Sequence, residues 1–333
     1  MLTKNAKIRT LRIAAVQMQS RLGDIPANLA HATTLVEQAA AQGAQLIALP
    51  ELAASGYSLS DAIWEAGETR DGLTIRWLKQ TSARLGVYLG IGFLEVEGEE
   101  FFNSFAIGAP DGQIAGIVRK TMAETGCFRC SNGPHVIETA LGRIGVGICA
   151  DNLFAPNLHK MQAGSADLLL MPHAAPVPYR TGGLVDEKDI SRTHQTLSQM
   201  APRYARLTGI PVVFINQVGP RGPEKWLGIL GGIMSPESFK LGGLSTISTL
   251  DGTVVGQLDD CAESVAIADV TLDGARKIAA RPAGHGSYGG GFVTPHPLLF
   301  ELLCYVDAFY GRMHYQFSAV RRAKARGVSA PTA

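Results

Sequence analysis

The sequence predicts an α/β fold built on mixed sheets. Short apolar runs of strand length alternate with longer segments of helical period. Two further strand pairs flank tight turns at Pro110-Asp111-Gly112 and Asp251-Gly252. No stretch rich in Pro, Ser and Gly divides the chain. Alternation by itself would suggest a parallel sheet, and the hairpins make the sheets mixed.

The elements follow in order. Residues 12–18 form a β-rich apolar run with the look of a buried strand. Asp24 offers an N-cap, with Pro26 in the first helical turn. The helix that follows, to about Gln42, places Leu29, Ala32, Leu35, Val36 and Ala39 on one face, and Gly43 stops it. Residues 44–49 read as a second buried strand ending at Pro50-Glu51. Residues 73–85 are helical in period, Gly86 ends them, and 87–94 read as a strand. Residues 101–109 and 113–118 make the first hairpin. Residues 143–149 are an apolar strand closing on Cys149, with a helix from about Asn157 and a strand at 168–171. A longer helix is expected over 191–207, a strand over 211–216, and a second hairpin from 244–250 and 254–258. No internal repeat of fixed period is visible. Residues 1–320 are expected to form one domain, 321–333 a flexible basic tail, and 284–291, rich in glycine, a loop.

Composition narrows the function. The chain has 333 residues, 46% hydrophobic and 18% charged, with ample material for a core. Its 30 basic and 29 acidic side chains leave a net charge of +1. Such a balance favours neither nucleic acid nor an anionic membrane, and suits small neutral or zwitterionic substrates. The cysteines are five, an odd number that does not read as a disulfide framework. The first apolar stretch is short and interrupted by Arg12 and Gln17, unlike a signal peptide. The apolar window 297–310 carries Glu301 and Asp307 and is too short to span a bilayer. The expectation is a cytoplasmic protein with no membrane or nucleic-acid partner.

Three segments carry chemistry. In LIALPELAASGY, Glu51 directly follows a buried strand, where low-dielectric surroundings would raise a carboxylate toward useful base strength. In IAGIVRKTMAE, Lys120 ends a hairpin strand and could hold a fixed positive charge beside a reaction centre. In RIGVGICADNLFAP, Cys149 closes an apolar strand. A turn into a helix would expose the thiol and aim backbone N–H groups at it, favouring a thiolate. Each has a plainer reading: a solvated loop carboxylate, a surface lysine, a buried inert cysteine. Together they supply the nucleophile, base and cation that acyl transfer through a thioester needs.

The order and context of these segments resemble the nitrilase superfamily of carbon–nitrogen hydrolases. The resemblance rests on Pro50-Glu51, Arg119-Lys120 and Cys149-Ala150-Asp151. It extends through Phe102-Asn103-Ser104 to the hairpin turn at Asp111-Gly112, and covers roughly residues 11–260. It implies a four-layer αββα sandwich, homodimers or larger homo-oligomers stacked through the helices near the cysteine, and neither metal nor organic cofactor. It implies a thiol hydrolase that cleaves a C–N bond of a small amide with Glu51 as base, Lys120 at the oxyanion and Cys149 as nucleophile. The alternatives are an N-carbamoyl amidohydrolase, a nitrilase, or a non-catalytic binding protein on the same fold. Many members carry a second carboxylate between the lysine and the cysteine. Glu124 is the candidate here, at a short spacing from Lys120, and Glu138 is assigned to a strand. Nitrile-cleaving members place Trp-Glu after the cysteine. Ala150-Asp151 looks more like the amidase and carbamoylase branches. Pro156-Asn157 stands where the family often has Pro-Glu. Tyr57, Ala150, Asn152, His173 and Ala174 are candidate substrate contacts from their positions after strands.

Two other motifs carry less. Cys127 and Cys130 form a C-x-x-C without the further ligands that a zinc site needs. The G-x-G-x-x-G from Gly284 to Gly289 lacks a preceding strand and a following helix. No phosphate-binding G-x-x-x-x-G-K-[ST] and no G-x-S-x-G occurs.

Overall fold

In the first strand, β1 (Arg9–Gln17), Leu11, Ile13 and Ala15 face one way and Ala14 and Val16 the other, and both sets are buried. A strand buried on both faces must be covered twice, and that requirement sets the layers. The computed structural model describes residues 8–153, 155–181, 185–222, 239–279 and 298–329. The glycine-rich loop at 284–291 lies outside these residues, as do the side chains of Pro156 and Asn157.

The first sheet contains β1, β2 (Leu46–Ala48), β3 (Tyr88–Glu97), β4 (Glu100–Gly108), β5 (Ile114–Arg119) and β15 (Ser264–Leu272), in the order β15-β1-β2-β3-β4-β5. The second contains β6 (Val136–Thr139), β7 (Gly142–Val146), β8 (Leu168–His173), β10 (Val212–Asn216), β13 (Thr246–Ser248) and β14 (Val254–Gln257), in the order β14-β13-β10-β8-β7-β6. Short strands β9 (Pro176–Pro178), β11 (Val218–Pro220) and β12 (Phe239–Gly242) make a third, small sheet. Inward residues such as Ile13, Leu46, Val146, Leu170, Val213 and Ile215 fill the space between the two large sheets. Outside the first sheet lie α1 (Ile25–Ala41) and α2 (Leu73–Leu85), which bury Leu29, Leu35, Val36 and Leu78. Outside the second lie α3 (Ala155–Ala163), α4 (Glu187–Ser198) and α5 (Met200–Thr208), through Leu158, Met161, Leu197 and Tyr204. The architecture is therefore the expected α/β sandwich, with layers α-β-β-α.

Local signals placed the early elements well. The Asp24 carboxylate caps α1 by accepting from the Ala27 N–H at 3.2 Å. Gly86 ends α2 at φ 68°, the left-handed conformation that favours glycine. Both hairpins form as antiparallel pairs, β4 with β5 and β13 with β14, and Glu138 lies in a strand, β6.

Three expectations need correction. The helix over 191–207 is two helices, α4 and α5, parted at Gln199. Pro202 has no N–H to give to a continuous helix but is tolerated in the first turn of a new one. The strand before the cysteine stops at Val146, so Cys149 opens a separate 3-10 turn, Cys149–Leu153. The basic tail is instead a helix through Ser329, α7 (Ala319–Ser329), following α6 (Leu298–Phe317). Its charges mislead because Arg321 and Ala325, one turn apart, are both buried against the body.

Candidate active site

Glu51 follows β2 at its carboxyl end, and the turn that carries it lies directly over β3. A side chain at Gly92 would meet Leu52 N at 2.3 Å and Pro50 O at 2.6 Å, so a glycine lets the two backbones touch. Gly92 and Pro50 are joined by an N–H···O bond of 3.1 Å. The Glu51 carboxyl is fully buried. Its Oε1 accepts from Asn103 Nδ2 and from Lys120 Nζ, each at 2.7 Å, and its Oε2 accepts from the Ala174 N–H at 2.8 Å. Gln217 Nε2 holds the Glu51 carbonyl at 2.7 Å.

Lys120 comes one residue after β5 and is also fully buried. The strand end is fixed by Arg119, which binds Glu95 through Nη2 at 2.6 Å and Nε at 2.8 Å and stacks 3.8 Å above the Phe102 ring. Burial opposes the Glu95 charge, but the Arg119 hydrogen bonds prevail and hold that carboxyl below its usual range. The Lys120 ammonium donates to Glu51 and to both oxygens of Glu124, at 2.8 and 3.0 Å. The short spacing of Glu124 from Lys120 is thus bridged by direct contact. Burial pulls the ammonium toward neutrality, yet Glu124 and Glu51 outweigh it and hold Lys120 well above the lysine range. Glu124 is itself raised by burial, against the pull of Lys120.

Cys149 sits where the chain turns from β7 into its 3-10 turn, at φ 46°. A non-glycine residue there costs about 1–3 kcal/mol, and such strain gathers at functional sites. Asp151 braces the turn. Its Oδ1 accepts from the N–H groups of Thr121 and Met122 at 3.0 and 2.7 Å, and its Oδ2 from Ile148 N at 3.3 Å. One carboxylate therefore ties the residues after Lys120 to those before Cys149. The thiol feels the charges of Glu51, Lys120 and Glu124, with the Ala174 backbone nearby. Burial and then Glu51 push it well above the cysteine range, and Lys120 does not reverse this. Desolvation thus works against the thiolate that N–H groups at the turn were expected to favour.

The remaining candidates fall around this cluster. Ala174 bonds Glu51 through its backbone, and Ala150 is the second residue of the Cys149 turn. Tyr57 is buried close enough for Glu124, Glu51 and Cys149 to raise its hydroxyl, after burial itself. Asn152 and His173 lie behind the turn. Asn152 Nδ2 donates to Gly147 O at 2.7 Å and to His173 Nε2 at 2.9 Å. Burial, then Lys120, lowers the His173 imidazole to about 3, so the ring is neutral.

Sequence reasoning did not single out Asn103, Gln217 or Asp151 for the site. Asn103 had a signal, a fully buried amide inside the apolar strand FFNSFAIG. Gln217 follows strand β10 as Glu51 follows β2. Cys127 is buried and Cys130 exposed, both free thiols, and they lie just behind the second carboxylate: the Cys127 N–H donates to Glu124 O at 2.9 Å. Among the described residues no group of three His, Cys, Asp or Glu is placed to hold a metal. A surface hollow of about 320 Å³, lined by Arg70, Ile75, Ile114, Gly116 and Ile117, shares no residue with the cluster.

A four-layer sandwich thus gathers Glu51, Lys120 and the Cys149 thiol close after strands of its two large sheets. The chain belongs to the carbon-nitrogen hydrolase family, whose model matches residues 12–280. It is 29% identical over 262 residues to an N-carbamoylputrescine amidase of Arabidopsis thaliana, covering 75% of this chain and 83% of that one. It is 30% identical over 176 residues to a nitrilase of Pyrococcus abyssi, covering 51% and 67%. In structure it resembles a carbon-nitrogen hydrolase from Helicobacter pylori, with TM-score 0.68 and 21% identity, over 79% of this chain and 89% of that one.

Proposed function

We propose that the protein hydrolyses a C–N bond of a small amide through a thioester on Cys149, releasing ammonia or an amine. The observation that carries this is the shared bonding of Lys120 Nζ to Glu51 and Glu124 beside the thiol. A cation so held cannot act as a base, which leaves Glu51 to move protons and Lys120 to meet negative charge.

Glu51 takes the Cys149 proton as the sulfur attacks the carbonyl carbon. The C=O electrons move to oxygen, where Lys120 Nζ and the Ala150 N–H receive the charge. The tetrahedral adduct collapses, the C–N bond breaks, and Glu51 gives its proton to the leaving nitrogen. Glu51 then deprotonates a water that attacks the thioester, and the thiolate leaves and regains a proton from Glu51. Glu124 keeps Lys120 charged and aimed, acting as the second carboxylate. Tyr57 and the Ala174 backbone shape the space beside the sulfur, while Asn152 and His173 support the turn.

N-carbamoyl compounds are the second reading, favoured by similarity to an N-carbamoylputrescine amidase. Nitriles are the third. No described helix is long and apolar enough to cross a membrane. With its free cysteines, we place the protein in the cytoplasm, as a single hydrolase domain in a homo-oligomer without a cofactor.

The test is ammonia release from a panel of primary amides, N-carbamoyl amines and nitriles, with Cys149→Ala alongside. Release that disappears in the variant supports the mechanism, and the responsive class selects the branch. Unchanged release in Cys149→Ala overturns it. No release from any compound favours a binding protein on the same fold.

A further inference from the structure

Over the described side chains of α6, residues 306 and 308–317, one face packs against the body and the opposite face is exposed. On the engaged face, the Trp64 ring stacks on His314 at 5.9 Å between centroids, and Tyr315 donates to Glu100 Oε2 at 2.7 Å. Thr125 Oγ1 donates to Ala308 O at 2.7 Å, and Gly311 lies against the Gly126 backbone, beside the segment that carries Glu124. These contacts fix the rotation of the helix. The other face cannot turn inward without breaking them.

That face presents Val306, Phe309, Tyr310, Met313, Phe317 and, at the start of α7, Val320. The spacing of 3, 4 and 7 residues makes one continuous stripe. Phe309, Tyr310 and Phe317 are 62%, 69% and 64% exposed. With aromatic side chains of about 150–250 Å² each, the stripe offers on the order of 600 Å² of apolar surface. A patch of that size on a lone protein is at the upper limit of what is ordinary. Doubled by a matching patch, it passes the roughly 1,000 Å² that a specific interface needs.

The stripe is close to symmetric about Met313. Phe309 lies four residues before it and Phe317 four after, with Tyr310 and Val320 just inside and outside these positions. Two antiparallel copies crossing at Met313 would set Phe309 and Tyr310 of one against Phe317 of the other. This is the self-complementary contact of a two-fold dimer.

We infer that the occupant is a second copy of this chain, bound stripe to stripe through α6. This surface is distinct from the helices near Cys149. The inference is independent of the catalytic reading.

The experiment compares the full-length protein with Phe309→Glu/Phe317→Glu by sedimentation velocity, with circular dichroism to confirm the fold. The expected result is a wild-type assembly of at least two copies and a variant of half that mass or less. A parallel sample of Met313→Cys should form an intermolecular disulfide through position 313 under mild oxidation, located by peptide mass mapping and missing from wild type. A monomeric wild type, or a folded double variant of unchanged mass, overturns the proposal. Failure of the Met313→Cys cross-link in a folded oligomer overturns the two-fold crossing.

Discussion

At the scale of single residues, the central conflict is between Cys149 and its surroundings. The thiol is held above the cysteine range by burial and by Glu51, with Lys120 pulling the other way. Substituting Glu51→Gln therefore has two opposed consequences. Turnover should fall by about 10²–10⁴, because the proposed base is gone. Yet the pH midpoint for alkylation of Cys149 should move down, because a charge that opposes the thiolate is gone. Iodoacetamide labelling followed by mapping of the Cys149 peptide separates this signal from the exposed Cys130 and Cys261. A midpoint that rises or stays fixed would contradict the electrostatics described here. His173 gives a second prediction. Its folded value of about 3 lies below the unfolded 6.5. Unfolded chains thus bind more protons between those values, and stability is complete above 6.5 and declines as pH falls toward 3. The slope is about 1.4 kcal/mol per pH unit for one such group. His173→Gln keeps an acceptor for Asn152 and should flatten the decline between pH 6 and 4 in urea titrations. An unchanged acid limb would show that the imidazole is not the cause.

At the scale of elements, the site depends on how closely backbones approach. Strand β3 passes beneath the Glu51 turn at Gly92, where even a methyl group would meet Leu52 N at 2.3 Å. Gly92→Ala should lift the turn, cost about 1–3 kcal/mol in stability as other overpacked sites do, and lower kcat at least tenfold in protein that is still folded. Retained kcat would mean the turn does not position the base. Such approaches explain what the sequence makes legible. Asp24, Gly86 and the two hairpin turns announce themselves because caps and turns are local chemistry. Glu51, Lys120 and Cys149 were visible because each closely follows an apolar strand, and their shared order resembles a family. Asn103 and Gln217 were hidden since their value lies in where they reach, across from one strand to the turn after another. Strand β15 pairs with β1 from Arg9↔Leu272 to Gln17↔Ser264, a contact between distant segments that no local window contains. Pro202 was in plain view, but a proline early in a new helix and a proline inside a long one share the same apolar period.

At the scale of the whole molecule, the two large sheets repeat one scheme that the sequence conceals. Each runs from an antiparallel edge pair through two parallel pairs to two antiparallel ones. Glu51 and Lys120 come from the first sheet and Cys149 and Ala174 from the second, so the Ala174–Glu51 bond joins the two halves at the site. The C-terminal helices add a brace at another point. Arg321 is buried, donates from Nε to Tyr315 O at 2.8 Å and from Nη1 to Glu99 O, and lies 4.2 Å from the Tyr315 ring centre. Tyr315 in turn accepts from Phe101 N at 2.9 Å, at the start of β4. Removing the guanidinium in Arg321→Ala leaves the Glu99 and Tyr315 carbonyls without their donors and opens a void beside the ring. The expected cost is about 2–4 kcal/mol, the range for a lost buried hydrogen-bond network. A solvated basic tail would instead give a change within about 0.5 kcal/mol. Urea unfolding distinguishes the two outcomes. Because Arg321 bonds neither Glu51 nor Cys149, KM measured well below the unfolding transition should stay near wild type, which separates a brace on the fold from a part of the proposed active site.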